Sequence, residues 1–298
     1  MEPLNLRTLA QKVETKMKVE LAEESVYVSN HQVTIFERFK ELLSYRTLLW
    51  TLTWRDIRVR YKQSLLGIAW AMFIPVSMML LFSFVFTRIV AVKTDIPYPI
   101  FAYCGLLPWQ FFASATTAAT NSLIANRSLV TKIYFPSEVF PISSIIAAFV
   151  DFLVGSIVLV ALIMYFYLSG TSIVVSWTVF LVIPVILVQI LFMTGISFFL
   201  SMGNLFFRDV RYIYNVIITL WMFATSVVYP MKVSNPGLQR VLNLNPMTPI
   251  IDAYRDVLLR GKIPDLYTFG YTIIISLVVC FSGWVIFYKL QYMFAEKA

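Results

Sequence analysis

Charge is scarce in this chain of 298 residues. Asp, Glu, Lys and Arg make up 13% of it, while hydrophobic residues reach 59% and mean hydropathy is +0.77. Ordinary soluble domains carry roughly 25% charged residues, so a water-soluble globule of this composition would aggregate, and its apolar surface must face lipid. Cysteine is nearly missing: Cys104 and Cys280 both lie in apolar runs, which excludes a disulfide framework and a cysteine metal cluster. The one histidine, His31, lies in a polar stretch, and no acid/base pair or metal-ligand spacing occurs within or beside the apolar runs. A Gly-x-x-x-x-Gly-Lys-Ser/Thr phosphate cradle is absent too; Gly261-Lys262 continues into Ile263 with no glycine at the required earlier position. The net charge of +8 forms no continuous stripe, so nucleic acid is not an expected partner. No apolar h-region of a signal peptide appears in the first 35 residues, which leaves the N-terminus on the cytoplasmic side.

What is present is length of apolar sequence. Residues 65–87 hold 23 positions without a formal charge, enough to cross a hydrocarbon core of about 30 Å as a helix. Five further runs, 100–125, 139–168, 177–200, 212–228 and 266–290, complete a six-span, all-α membrane protein. Six spans put both termini on one side. Arg55, Arg58, Arg60 and Lys62 before the first span, Arg127 and Lys132 after the second, Arg208 and Arg211 after the fourth, and Lys289 and Lys297 at the end make that side the cytoplasm. Residues 1–35 read as a polar cytoplasmic tail. Over 36–63, Phe36, Phe39, Leu43, Trp50, Trp54, Ile57 and Tyr61 recur at helical spacing opposite basic residues, which predicts an amphipathic helix at the membrane surface. A soluble helical hairpin is the alternative, disfavoured by the two tryptophans and the immediate junction with a span. Residues 64–298 form the span domain.

The last external segment, about 230–262, is too charged to cross. Asn245-Pro246-Met247-Thr248-Pro249 is turn chemistry opening a short helix with Ile250, Ile251, Tyr254, Val257 and Leu258 on one face. It dips into the outer leaflet only if protein or a cavity shields it; otherwise it lies on the outer surface. Asp151, about a dozen residues into the third span, is the clear acid inside an apolar run. Ionised there, it needs a partner or water, and it reads as a functional contact, a structural bond between helices, or the sign of a later span start. Aromatics are 16% of the chain. Interfacial belts account for many of them, and rings lining a wide passage would suit sugar faces.

Several strings carry a resemblance. Residues 55–62 (Arg-Asp-Ile-Arg-Val-Arg-Tyr-Lys) running through Ser64-Leu65-Leu66-Gly67 to Trp70 and Pro75, then Gly105-Leu106-Leu107-Pro108-Trp109, are similar to the permease subunit of bacterial polysaccharide ABC exporters, a type 2 ABC transporter family. So are Asn126-Arg127-Ser128-Leu129-Val130 with Lys132 and Pro136, Phe207-Arg208-Asp209-Val210, and Asn245 to Pro249 with Tyr254-Arg255. The resemblance covers residues 45–290, and the tail departs from it. It implies export of a polyprenyl-diphosphate-linked glycan (O-antigen, capsule or teichoic acid) across the bacterial inner membrane by a homodimer with two separate nucleotide-binding ATPase subunits. This chain then binds no cofactor, and ATP with Mg belongs to the partner. Arg55, Arg58, Arg60 and Lys62 are the expected diphosphate entrance, with membrane anchoring as the simpler reading. Arg127, Lys132, Tyr134 and Ser137 are the expected ATPase-coupling segment, Pro246, Pro249, Tyr254 and Arg255 the re-entrant outer gate, and Phe73, Tyr103, Trp109, Tyr212 and Trp221 the rings along the polymer's path. A type 2 exporter of drugs or lipids is the rival; a membrane-embedded transferase lacks its acids and histidines, and a pure scaffold does not need a re-entrant element.

Overall fold

The computed structural model describes residues 42, 44–62, 64–92, 94–132, 136–171, 173–230, 242 and 244–291. Residues 46–298 form one compact unit and residues 1–45 another, in which the Tyr45 amide donates to the Leu42 carbonyl. The expected polar tail and the start of the surface helix, through residue 41, lie outside the described residues, as does 231–241 of the external segment.

Every regular element among the described residues is helical. Helix α1 (Arg46–Tyr61) leads through a 3₁₀ turn (Gly67–Ala69) into α2 (Trp70–Phe84), whose end loosens into a π turn (Val85–Ile89). There follow α3 (Tyr98–Ala125), the short α4 (Arg127–Lys132), α5 (Val139–Leu168), a 3₁₀ turn (Trp177–Leu181) opening α6 (Val182–Phe206), and α7 (Val210–Phe223). Helix α8 (Met247–Arg255) ends in a second π turn (Asp256–Arg260), and α9 (Leu266–Leu290) closes the fold.

Four stretches, Gly67–Ile89, Val139–Leu168, Trp177–Phe206 and Leu266–Leu290, are long and apolar enough to cross a membrane. They are helical because a backbone in lipid must satisfy its own hydrogen bonds. Helix α3 matches them in length with 28 residues but carries Gln110, Ser114, Thr116, Thr117, Thr120 and Asn121, and 19 of its residues are buried. It is the core element: α5 and α6 pack along it, with α2, α7 and α8 against its remaining sides. Polar and small residues suit such a helix because its neighbours are other helices.

Two boundaries differ from the sequence expectation. The fourth run continues past residue 200 to Phe206, and Asn204 within the added turn donates its amide to the Thr120 carbonyl at 2.9 Å. The fifth ends at Phe223, because the backbone after it turns to aim the Ser226 and Val227 carbonyls at Arg255 and the Val228 carbonyl at Tyr98. In α1 the buried residues are Leu52 and Thr53, while Trp50 and Trp54 stack on each other along the exposed side at 6.4 Å.

Close helix crossings rest on glycine. Gly195 of α6 and Gly283 of α9 meet backbone to backbone; a Cβ at Gly283 would lie 2.6 Å from the Gly195 carbonyl oxygen. Gly261, at φ +63°, turns the chain out of the second π turn against Val174 in a left-handed conformation that favours glycine.

Candidate functional site

Two sites stand out, one at each end of α3. At the end where α3 begins, α8 is packed into the unit: Met247, Ile250, Ile251, Ala253, Tyr254, Arg255, Val257, Leu258 and Leu259 are all buried. Arg255 is fully buried, and its guanidinium donates to three backbone carbonyls: Ser226 at 2.5 Å, Val227 at 2.6 Å and Phe101 at 3.3 Å. It also pairs with Asp252 at 3.0 Å and lies 3.7 Å above the Phe101 ring. These bonds offset the several kcal/mol that burying a lone charge costs. Tyr254 donates to Gln189 Oε1 at 2.7 Å, and Gln189 in turn donates to the Pro108 carbonyl at 2.7 Å. Asn245 ties the start of the segment in, accepting from the Trp221 indole at 2.9 Å and donating to the Ala224 carbonyl at 2.8 Å. Pro246 precedes the first turn of α8 and Pro249 sits within it, where a missing N–H costs nothing. At the rim of the same end Arg260 pairs with Asp95 at 2.7 Å and Asp256 at 2.8 Å. The hydrogen bond from Arg260 holds the Asp95 carboxyl below its usual range.

At the other end, α1, α2, α3 and α5 enclose a half-open cavity of about 610 Å³. Asp151 faces it from α5, in an ion pair with Arg60 and accepting from the Tyr61 hydroxyl at 2.6 Å. Burial and the Asp151 carboxylate push the Tyr61 phenol up, so it stays a neutral donor. The intramembrane acid therefore has its partners on α1. Of the four expected entrance cations, Arg60 is taken by Asp151, Arg55 holds Asp56 at 2.8 Å and Asn126 at 2.7 Å, Arg58 lies over the Trp54 ring at 5.5 Å, and Lys62 is exposed.

The five expected conduit rings do not gather at one place in the chain. Trp109 and Trp221 meet edge-on at 6.3 Å in a cluster with Phe112 and Phe192. Tyr103 is buried and donates to the Gly155 carbonyl at 2.9 Å. Phe73, 53% exposed, and Tyr212, 59% exposed, face outward from α2 and α7. Of the coupling segment, Arg127 opens α4 and is exposed, Lys132 closes α4, and Ser137 is buried just before α5; Tyr134 lies outside the described residues. Sequence reasoning placed Asn245 in a turn but missed Gln189 and a polar stripe on α3, Gln110, Ser114, Thr117 and Asn121, which lines the cavity. Their spacing of four, three and four, which keeps them on one face of a helix, was the available signal.

Comparison with known proteins joins these features. The pattern of the family described as ABC-2 type transporter matches residues 47–259. The O-antigen export system permease protein RfbA of Myxococcus xanthus is 31% identical over 261 residues, 87% of this chain and 98% of the relative. A protein of the same name from Klebsiella pneumoniae is 34% identical over 253 residues, 84% of this chain and 94% of its own. The polysialic acid transport protein KpsM of Escherichia coli is 24% identical over 239 residues, 77% and 88% of the two chains.

Proposed function

We propose, from the premise that this chain belongs to the ABC-2 type transporter family, that it is the membrane permease subunit of an ATP-driven polysaccharide exporter. The observation that carries the reading is the match to O-antigen export permeases along almost their whole length, at 31% and 34% identity. The more distant polysialic acid transport protein supports a glycan cargo in general over any one sugar.

The chain has no phosphate cradle in its sequence, so hydrolysis falls to a separate nucleotide-binding subunit. In this reading two copies of the chain and two ATPase subunits assemble in the bacterial inner membrane with both termini cytoplasmic. Helices α3 and α7 join the four long apolar stretches as spans. Helix α4 and residues through Ser137 take up the ATPase stroke, as a short rigid element in a cytoplasmic loop can convert partner closure into movement of the spans. Helix α8, entering and leaving at one end of the bundle, is the re-entrant element at the outer mouth. The glycan is carried on a polyprenyl diphosphate, met at the cytoplasmic face by α1.

The test is deletion of the chain's gene in its host. Surface polysaccharide should disappear while lipid-linked polymer accumulates inside, with restoration by the wild-type chain and not by a chain paired with an ATPase unable to hydrolyse ATP. A deletion strain that keeps its surface polysaccharide and instead becomes sensitive to drugs would transfer the reading to the rival exporter class.

A further inference from the structure

We infer that the cavity between α1, α2, α3 and α5 is a saccharide subsite within each single subunit, built for uncharged pyranose rings. The inference rests on the glycan reading above. The cavity exists because small side chains stand where bulk would fill it: Ala71, Ala113, Ala118 and Ala148 all line it. Its volume of about 610 Å³ lies inside the roughly 300–1,000 Å³ range of ligand pockets.

Its walls are of two kinds. Gln110, Ser114, Thr117 and Asn121 form one polar stripe along α3, extending over about 16 Å of helix axis. Facing the same space are the rings of Trp70, Phe111 and Phe152. The stripe is incompletely used by the protein. Ser114 donates weakly to the Phe111 carbonyl of its own helix at 3.3 Å, and Asn121 accepts from Asn204 at 3.3 Å, leaving its own amide N–H groups. The Gln110 amide and the Thr117 hydroxyl make no hydrogen bond among the described residues. Four neutral polar groups aimed into a space between membrane helices are costly unless something there bonds to them.

The charges decide what that something is. Arg60 and Asp151 also line the cavity, but they neutralise each other, and Tyr61 takes the remaining carboxylate oxygen. An anion finds its cation already paired, and a cation finds its acid already paired. A lipid tail would leave the stripe unsatisfied. A neutral ring with hydroxyls on its edge and C–H groups on its faces meets both walls, hydroxyls on the stripe and faces on the aromatic rings. This subsite differs from the Trp109 and Trp221 cluster, whose rings pack on one another and on Phe112 and Phe192.

The test uses the full chain assembled with its ATPase partner in nanodiscs. Thr117→Cys, in a Cys104→Ala, Cys280→Ala background, is labelled with a water-soluble methanethiosulfonate, with Ser169→Cys beyond the far end of α5 as control. The probes are a neutral oligosaccharide released by mild acid from the host's own surface polymer, trigalacturonate as an acidic sugar, and a change of the disc lipid from phosphatidylethanolamine to phosphatidylglycerol. Only the neutral oligosaccharide should slow labelling at Thr117→Cys, by about tenfold, with Ser169→Cys unchanged. A thiol at 117 that is unreactive without ligand, is not protected, is protected equally by trigalacturonate, or responds to lipid alone overturns the subsite. Should the cysteine background fail to fold, Gln110→Leu with Thr117→Val in the native background gives the second measurement. Oligosaccharide affinity should fall by about tenfold or more at unchanged melting temperature, as expected when two hydrogen bonds are lost, and unchanged affinity overturns the subsite. In a host whose deletion strain does lose its surface polymer, such a failure removes the subsite and leaves the exporter reading standing.

Discussion

Gly105 is the position at which one methyl group should do the most damage. A Cβ built there would lie 2.3 Å from the Val227 carbonyl oxygen and 2.4 Å from Arg255 Nη2, about 1 Å inside van der Waals contact on both sides. Neither neighbour can yield cheaply, since one is backbone and the other a fully buried guanidinium that spends its N–H groups on Val227, Ser226 and Phe101. Gly105→Ala gains about 0.8–1.0 kcal/mol of helix propensity. Against that stand about 1–3 kcal/mol of overpacking and about 1.5–3 kcal/mol for breaking the 2.6 Å charge-assisted bond from Arg255 to Val227. The balance is a loss of about 3 kcal/mol, which for a unit of this size lowers the melting temperature by about 6–12 °C. Gly270→Ala is the control: it lies in α9, where an added Cβ meets nothing within 4 Å, and it should melt at or above the wild-type temperature. Fluorescence-detected size-exclusion after a temperature series measures both. Equal melting of the two variants would refute the argument that α3 and the 226–228 turn are held at contact distance.

Three further outcomes follow from the same geometry. Gln189→Leu strands the buried Tyr254 hydroxyl and should cost about 1–3 kcal/mol, and adding Tyr254→Phe should recover most of it; strictly additive melting shifts would refute the coupling. Arg60→Gln and Asp151→Asn should show a coupling of about 0.5–3 kcal/mol in a double-mutant cycle, and zero coupling would mean that α1 is not fastened to α5 through this pair. The Asp95 carboxyl is held low by Arg260, so its contribution is full above the ordinary carboxylate pKa and is lost as pH falls through the lowered folded value. Melting curves from about pH 5 down to about pH 2 should therefore show a small Asp95-dependent loss, at most about 1 kcal/mol for so exposed a pair, absent in Asp95→Asn.

The four long apolar stretches were legible because lipid demands uninterrupted hydrophobic length, and the Asn245 to Pro249 turn was legible because proline and asparagine punctuate the chain. The partner of Asp151 was not, since Arg60 lies 91 residues earlier and no periodicity reports a tertiary contact. The aromatic residues were the hardest to place. The positions of the rings alone do not separate one that faces a neighbour, such as Trp109, from one that faces outward, such as Tyr212. Polar residues inside apolar runs were an unused signal, because each needs a partner; Gln189, Asn204 and the α3 stripe all mark places where helices or open space meet.

The wiring of Arg255 also orders the birth of the molecule. A lone arginine at the centre of a hydrophobic helix costs about 2.5–3.5 kcal/mol to insert, and α8 with its nine residues is too short to offset this by itself. Yet every group that accepts from Arg255, namely the carbonyls of Phe101, Ser226 and Val227 and the carboxylate of Asp252, precedes it in the chain. The acceptor of Tyr254, Gln189, does so as well. When the ribosome delivers α8, every hydrogen-bond acceptor of Arg255 and Tyr254 has already been synthesised, and α9, which also packs on α8, is the part of the surroundings still to come. A chain that ends just after Gly261 already holds every acceptor this charge uses.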